Sequence, residues 1–124
     1  MPRAHPEQQL QQAAAELLSR ILPDTVLWTA IGHGGGGRVR GAILKSMGLR
    51  AGVADLLISW SDPYIRVLWI EMKSKRGLLR PEQKEFRRLV TGLGHGYVVI
   101  RSLENLLVAL RDNGVPHKQT RIAA

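Results

Sequence analysis

Three residues of this chain put charge where a strand destined for a core does not usually carry it. Asp55 lies near the start of the apolar stretch GVADLLISW (52–60), and Glu71 and Lys73 end the apolar stretch YIRVLWIEMK (64–73). Both stretches read as β-strands, and the intervening SDP is a tight-turn signal, so an antiparallel hairpin is expected. Side chains alternate faces along a strand, which points Glu71 and Lys73 the same way. The start of one antiparallel strand lies opposite the end of its partner, which brings Asp55 beside Glu71. Two carboxylates that close repel, and one is pushed toward protonation unless a cation sits between them. Oxygen donors without clustered His or Cys suit Mg2+ or Mn2+, and the Met72 carbonyl is a further ligand within reach. Lys73 then lies within reach of an attacking water or a phosphate oxygen, which is the equipment of phosphodiester hydrolysis. Plainer roles also fit. Asp55 can cap a turn or pair with Arg50, and Glu71 with Lys73 can form an ion pair of little worth if exposed.

The elements that must position these residues are legible on both sides. Leu10, Ala13, Ala14, Leu17, Leu18 and Ile21 recur at helical spacing, which predicts a first helix over 5–21, with Pro6 at its start and Pro23 beyond its end. TVLWTAI (25–31) reads as a strand, followed by the glycine run of Gly32–Gly37 with His33 inside it. That run is no P-loop, because it lacks the G-K-[ST] ending. RVRGAILKSM reads as a short helix. After the hairpin, PEQKEFRRLVTGL (81–93) is a helix with Phe86, Leu89, Val90 and Leu93 on one face, and GYVVIRS (96–102) is a buried strand. SLENLLVAL (102–110) is a last helix capped by Ser102. The order α-β-(α)-β-β-α-β-α predicts an α/β fold, a mixed central sheet flanked by helices, in one domain over 1–124. Its core is expected over about 5–112, with a frayed, basic tail over 113–124.

Composition narrows the partner. Eighteen Lys and Arg face ten Asp and Glu, a formal charge of +8, and 13 of the 18 are arginine. Arginine's planar fork suits phosphate, and the cations are grouped: Arg38, Arg40, Lys45 and Arg50 in one run, Lys73 to Arg88 in another. A polyanion, most commonly nucleic acid, is the partner this implies. Arg38, Arg40, Lys75, Arg76 and Arg80 are the candidate phosphate contacts. The absence of cysteine excludes disulfides and thiolate metal sites. No signal-peptide pattern and no apolar run of about 20 residues is present, so a cytoplasmic protein with no membrane association is expected. Lone histidines such as His33, His95 and His117 read as surface residues.

AGVADLLI followed by VLWIEMKSKRGLLRPEQKEF resembles the PD-(D/E)XK nuclease superfamily and, more closely, the VRR-NUC (virus-type replication-repair nuclease) family. Asp55 matches the motif aspartate, Glu71 and Lys73 the E-x-K, and KRGLLRPEQ the glycine followed by a helix bearing Gln83. PEQQLQQAA resembles the first-helix motif, with Glu7 as its acidic residue and Gln11 one turn on. The match runs from about residue 7 to residue 107. Ala54 departs from it, standing where the family usually has proline.

The resemblance implies a restriction-endonuclease-like fold and a DNA endonuclease dependent on Mg2+ or Mn2+ and selective for DNA structure. Asp55, Glu71 and the Met72 carbonyl would hold the metal, with Glu7 acting through water. Lys73 would serve the attacking water, with Gln83 within reach of the site. Small stand-alone members come from bacteriophages and bacteria, resemble Holliday-junction resolvases and tend to be dimers, with larger relatives in DNA repair. Branched DNA and a second copy of the chain are therefore the expected partners. The alternative is a DNA-binding module of the same fold that is catalytically silent or depends on a partner.

Overall fold

A computed structural model describes residues 5–32 and 37–122, with the backbone alone for 37–40. His33, most of the glycine run, and the side chains of Arg38 and Arg40 lie outside the described residues. The elements run α1 (Pro6–Ile21), β1 (Leu27–Ala30), α2 (Gly37–Ser46), β2 (Leu56–Ser61), β3 (Ile65–Met72), α3 (Pro81–Gly92), β4 (Gly96–Ile100) and α4 (Leu103–Asp112). This is the expected order, with strands trimmed by a few residues at their ends. The sheet has the order β1-β2-β3-β4. β1 and β3 flank β2 antiparallel, and β4 joins β3 in parallel after the α3 crossover.

Alternation along the strands sorts the core into two layers. Leu56, Ile58, Leu68, Ile70, Met72 and Ile100 meet Ala14, Leu17, Leu18 and Ile21 of α1 and Leu106 and Leu110 of α4. The opposite face is smaller: Trp69 and Tyr97 pack with Ala54, Phe86 and Val90 under α3. Each fully buried Leu or Ile contributes roughly 1.5–3 kcal/mol, so the α1/α4 layer carries most of the stability. The layer under α3 is left thin enough to admit polar side chains. Glu71, Lys73 and Gln83 are buried there among the described residues.

Ser102 caps α4 as expected, its hydroxyl accepting from Asn105 N–H at 3.1 Å. The tail departs from expectation. Val115 is buried in the main core, Ile122 packs against it, and Lys118 N–H donates to the Ile21 carbonyl at 2.8 Å. That carbonyl is among those the end of α1 leaves unpaired, which is why a polar segment docks instead of fraying. His95 is likewise no idle surface residue: its Nδ1 accepts from the Trp69 indole at 3.0 Å, and the two rings stack. No other helix or strand packs against the described residues of α2, whose Ile43 stands exposed, as does Met47 just past its end. No helix among the described residues is long and apolar enough to cross a membrane.

Candidate active site

The hairpin register pairs Leu56 with Ile70, and continuing it by one residue sets Asp55 opposite Glu71. Asp55 precedes β2 instead of lying inside it, yet it is held on both sides. Its carbonyl accepts from Ile31 N–H at 2.9 Å, and its Oδ2 accepts from Met72 N–H at 2.7 Å. The turn before it is locked to the start of α3. Gly52 has φ +81°, and a Cβ there would stand 2.1 Å from the Glu82 carbonyl oxygen. Only glycine allows that backbone and that approach. Ala54, two residues on, is fully buried against Phe86 and Val90, so the position that departs from the resembled family is used for packing.

Glu71 is 2 % exposed and makes a side-chain hydrogen bond with Asp55. Its Oε1 accepts from Gln83 Nε2 at 3.0 Å, while Gln83 Oε1 accepts from Arg80 N–H at 2.8 Å. The second bond is half of a capping box at the start of α3, where Pro81 occupies the first turn. It also fixes which end of the amide faces Glu71: the NH2 must. Burial, then the hydrogen bond and negative charge of Asp55, push the Glu71 carboxyl up to about 9, with Lys73 pulling the other way and Glu7 adding to the rise. Without a cation the buried Glu71 carboxyl is therefore pushed toward its neutral form beside Asp55.

Lys73 is 6 % exposed, just past the end of β3, and its N–H donates to the Ile100 carbonyl at 3.0 Å. Gly77 lies against its alkyl stem. A Cβ on Gly77 would stand 3.5 Å from Lys73 Cδ, 3.4 Å from Glu7 Oε1 and 2.9 Å from Ser74 Oγ. Glu7 reaches this loop from the first turn of α1, accepting a long hydrogen bond of 3.4 Å from Ser74 N–H. A cleft of about 450 Å³ lined by His5, Pro6, Glu7, Gln8 and Ser74 opens here. A larger cavity, about 720 Å³, lies between α4 and the tail and contains none of these residues.

The predicted site residues Asp55, Glu71, Lys73, Gln83 and Glu7 thus converge where β2 begins and β3 ends. Lys75, Arg76 and Arg80 stand exposed on the adjoining loop, with Arg80 paired to Glu82 at 3.2 Å. Arg101 was not among the residues singled out from sequence. From the end of β4 its Nη1 donates to the carbonyls of Ser74 at 2.7 Å and Gly77 at 2.8 Å. As one arginine of 13, it carries no local pattern that marks it.

Among the described residues no three His, Cys, Asp or Glu side chains gather closely enough to hold a metal ion by themselves. The donor set that does fit a hard cation is two adjacent carboxylates with the neighbouring main-chain carbonyl, completed by water. Their present need for a shared proton is the conflict that such a cation would relieve.

None of the protein-family models matches the chain, and neither does any curated protein. Its coordinates do match a solved structure, described as a VRR_NUC domain protein, with a TM-score of 0.66 over 93 % of both chains at 20 % sequence identity. The chain therefore shares the fold of that VRR_NUC domain, a mixed sheet flanked by helices, which is the architecture that the motif resemblance implied.

Proposed function

We propose that this chain is a VRR-NUC-type DNA endonuclease that hydrolyses phosphodiester bonds with Mg2+ or Mn2+ and is selective for branched DNA, four-way junctions first. The observation that carries the reading is the pair of half-buried Asp55 and buried Glu71, braced by Gln83 and adjoined by the buried Lys73. A carboxylate pair that must share a proton, one of them deep in a sheet, is a poor structural element and a good cation site.

Asp55, Glu71 and the Met72 carbonyl would hold the metal, and Glu7 would orient water at its outer edge. When bound, the metal would supply Lewis-acid stabilisation of the developing negative charge and lower the pKa of the attacking water. The protein's own residues do the rest. Gln83 keeps the Glu71 carboxyl aimed, and Met72 N–H does the same for Asp55. Lys73 holds the attacking water by hydrogen bond and counters charge on a phosphate oxygen. Lys75, Arg76 and Arg80, with Arg38 and Arg40, would grip the flanking backbone, leaving a 5′-phosphate and a 3′-hydroxyl. Symmetric cutting of a junction needs two sites, and the exposed Ile43 of α2 and Met47 just past it support a second copy of the chain as the homodimer partner.

The test is cleavage of matched four-way junction, 5′-flap and linear duplex DNA in Mg2+, Mn2+ or EDTA by wild type, Asp55→Ala and Glu71→Ala. Metal-dependent cutting of the junction, lost in both variants while DNA binding persists, is the expected result. Full activity in either variant would overturn the assignment. Salt-sensitive binding indifferent to Mg2+ and without cutting would point to the silent or partner-dependent DNA-binding module.

A further inference from the structure

We propose that Arg101 is a positioning residue for Lys73, acting through Gly77 and the loop after β3, and that it is not a DNA contact; this rests on the nuclease reading above. The loop carries Lys75 and Arg76, so a further cation is repelled from it unless something specific holds it there. Main-chain carbonyls do. Nη1 of Arg101 bridges Ser74 and Gly77, with the Lys75 carbonyl 3.5 Å away. A guanidinium suits that task better than an ammonium, because its planar, weakly hydrated fork loses less on binding carbonyl oxygens.

The clamp sets the position of one catalytic side chain. Lys73 is tied to β4 through the Ile100 carbonyl, and Arg101 is the next residue of that segment. Arg101 therefore grips the loop from the same point that anchors the Lys73 backbone. The carbonyl it holds at the far end belongs to Gly77, whose bare Cα lies against the Lys73 stem and the Glu7 carboxylate. Releasing Gly77 removes the wall against which the Lys73 stem lies. A displacement of about 1 Å at a reacting group lowers a rate by up to about 100-fold.

Arg101→Ala is the first variant, with unchanged thermal unfolding as the check on its fold. Single-turnover cleavage of junction DNA should fall on the order of 10- to 100-fold. The salt dependence of DNA binding, measured in Ca2+, should keep its slope. Gly77→Val, which leaves Arg101 intact but crowds Lys73, should reproduce the rate loss. A direct readout is amine acetylation followed by mass spectrometry: Lys73 is shielded in the wild type and should label faster in Arg101→Ala. A slope reduced by about 0.9, the value of one lost phosphate contact, would make Arg101 a DNA ligand and overturn the proposal. An unchanged cleavage rate, or unchanged labelling of Lys73, would overturn it as well. If the wild type itself cuts no DNA the nuclease reading has failed instead, and the labelling still decides whether Arg101 shields Lys73.

Discussion

Replacing Glu71 by Gln separates the cost of its charge from its geometry. The amide keeps the shape, accepts from Gln83 through its oxygen and donates to Asp55 through its NH2, so it imitates the neutral acid of the metal-free protein. The wild-type group titrates near 4.5 when unfolded and about 9 when folded. Between those values the folded chain holds one proton more than the unfolded chain, so stability falls as pH rises. The contribution is complete below 4.5 and gone above about 9. One proton of difference is worth about 1.4 kcal/mol per pH unit, hence roughly 3 kcal/mol between pH 6 and 8. For a chain of this size that is a shift of about 10 °C in Tm. Thermal unfolding of wild type and Glu71→Gln in EDTA, at several pH values across that range, gives the difference directly. Wild type should lose about that much relative to the variant, and millimolar Mg2+ should shrink the loss in wild type alone. A flat difference would mean that Glu71 is already ionised without metal and that Lys73, not a shared proton, balances the pair.

Gln83→Ala removes both the brace on Glu71 and the reciprocal cap of α3. Single-turnover cleavage should drop about 10- to 100-fold with a higher Mg2+ requirement, and unfolding should cost about 1 kcal/mol less; titrating Mg2+ against rate checks the first and denaturant melts the second. Gly52→Ala sets a Cβ against the Glu82 carbonyl at positive φ and should destabilise by more than about 1 kcal/mol, read from the same melts.

The order of elements was legible because the apolar spacing changes period cleanly from one segment to the next and each boundary is punctuated. Pro6, Pro81 and Ser102 stand where the helices begin. The opposition of Asp55 and Glu71 was legible too, because a short turn fixes a hairpin's register and register fixes which residues face each other. What sequence did not reveal depends on contacts made at long range by residues of unremarkable type. Arg101 meets carbonyls 24 and 27 positions away, and backbone carbonyls leave no trace in composition. His95 finds its indole partner 26 positions away. The docked tail was missed for a related reason. Its polarity suggests solvent, but a single buried Val115 and a helix end with an unpaired carbonyl are enough to hold it.

The hydrogen bonds at the site form one chain that starts and ends on backbone. Arg80 N–H holds Gln83, Gln83 holds Glu71, Glu71 meets Asp55, and Asp55 is held by Met72 N–H. Two rigid elements, the first turn of α3 and the end of β3, thereby fix two carboxyl groups that would separate if they were free. A chain shaped only for stability has an easier solution. Glutamine at 71 would make the same bonds with no titrating group, and leucine with a matching apolar partner at 83 would remove the polar burial altogether. Keeping an acid there makes the metal-free fold less stable at every pH above the ordinary carboxylate range. That penalty disappears once a cation takes the place of the proton, so the arrangement makes physical sense as a site held ready for one.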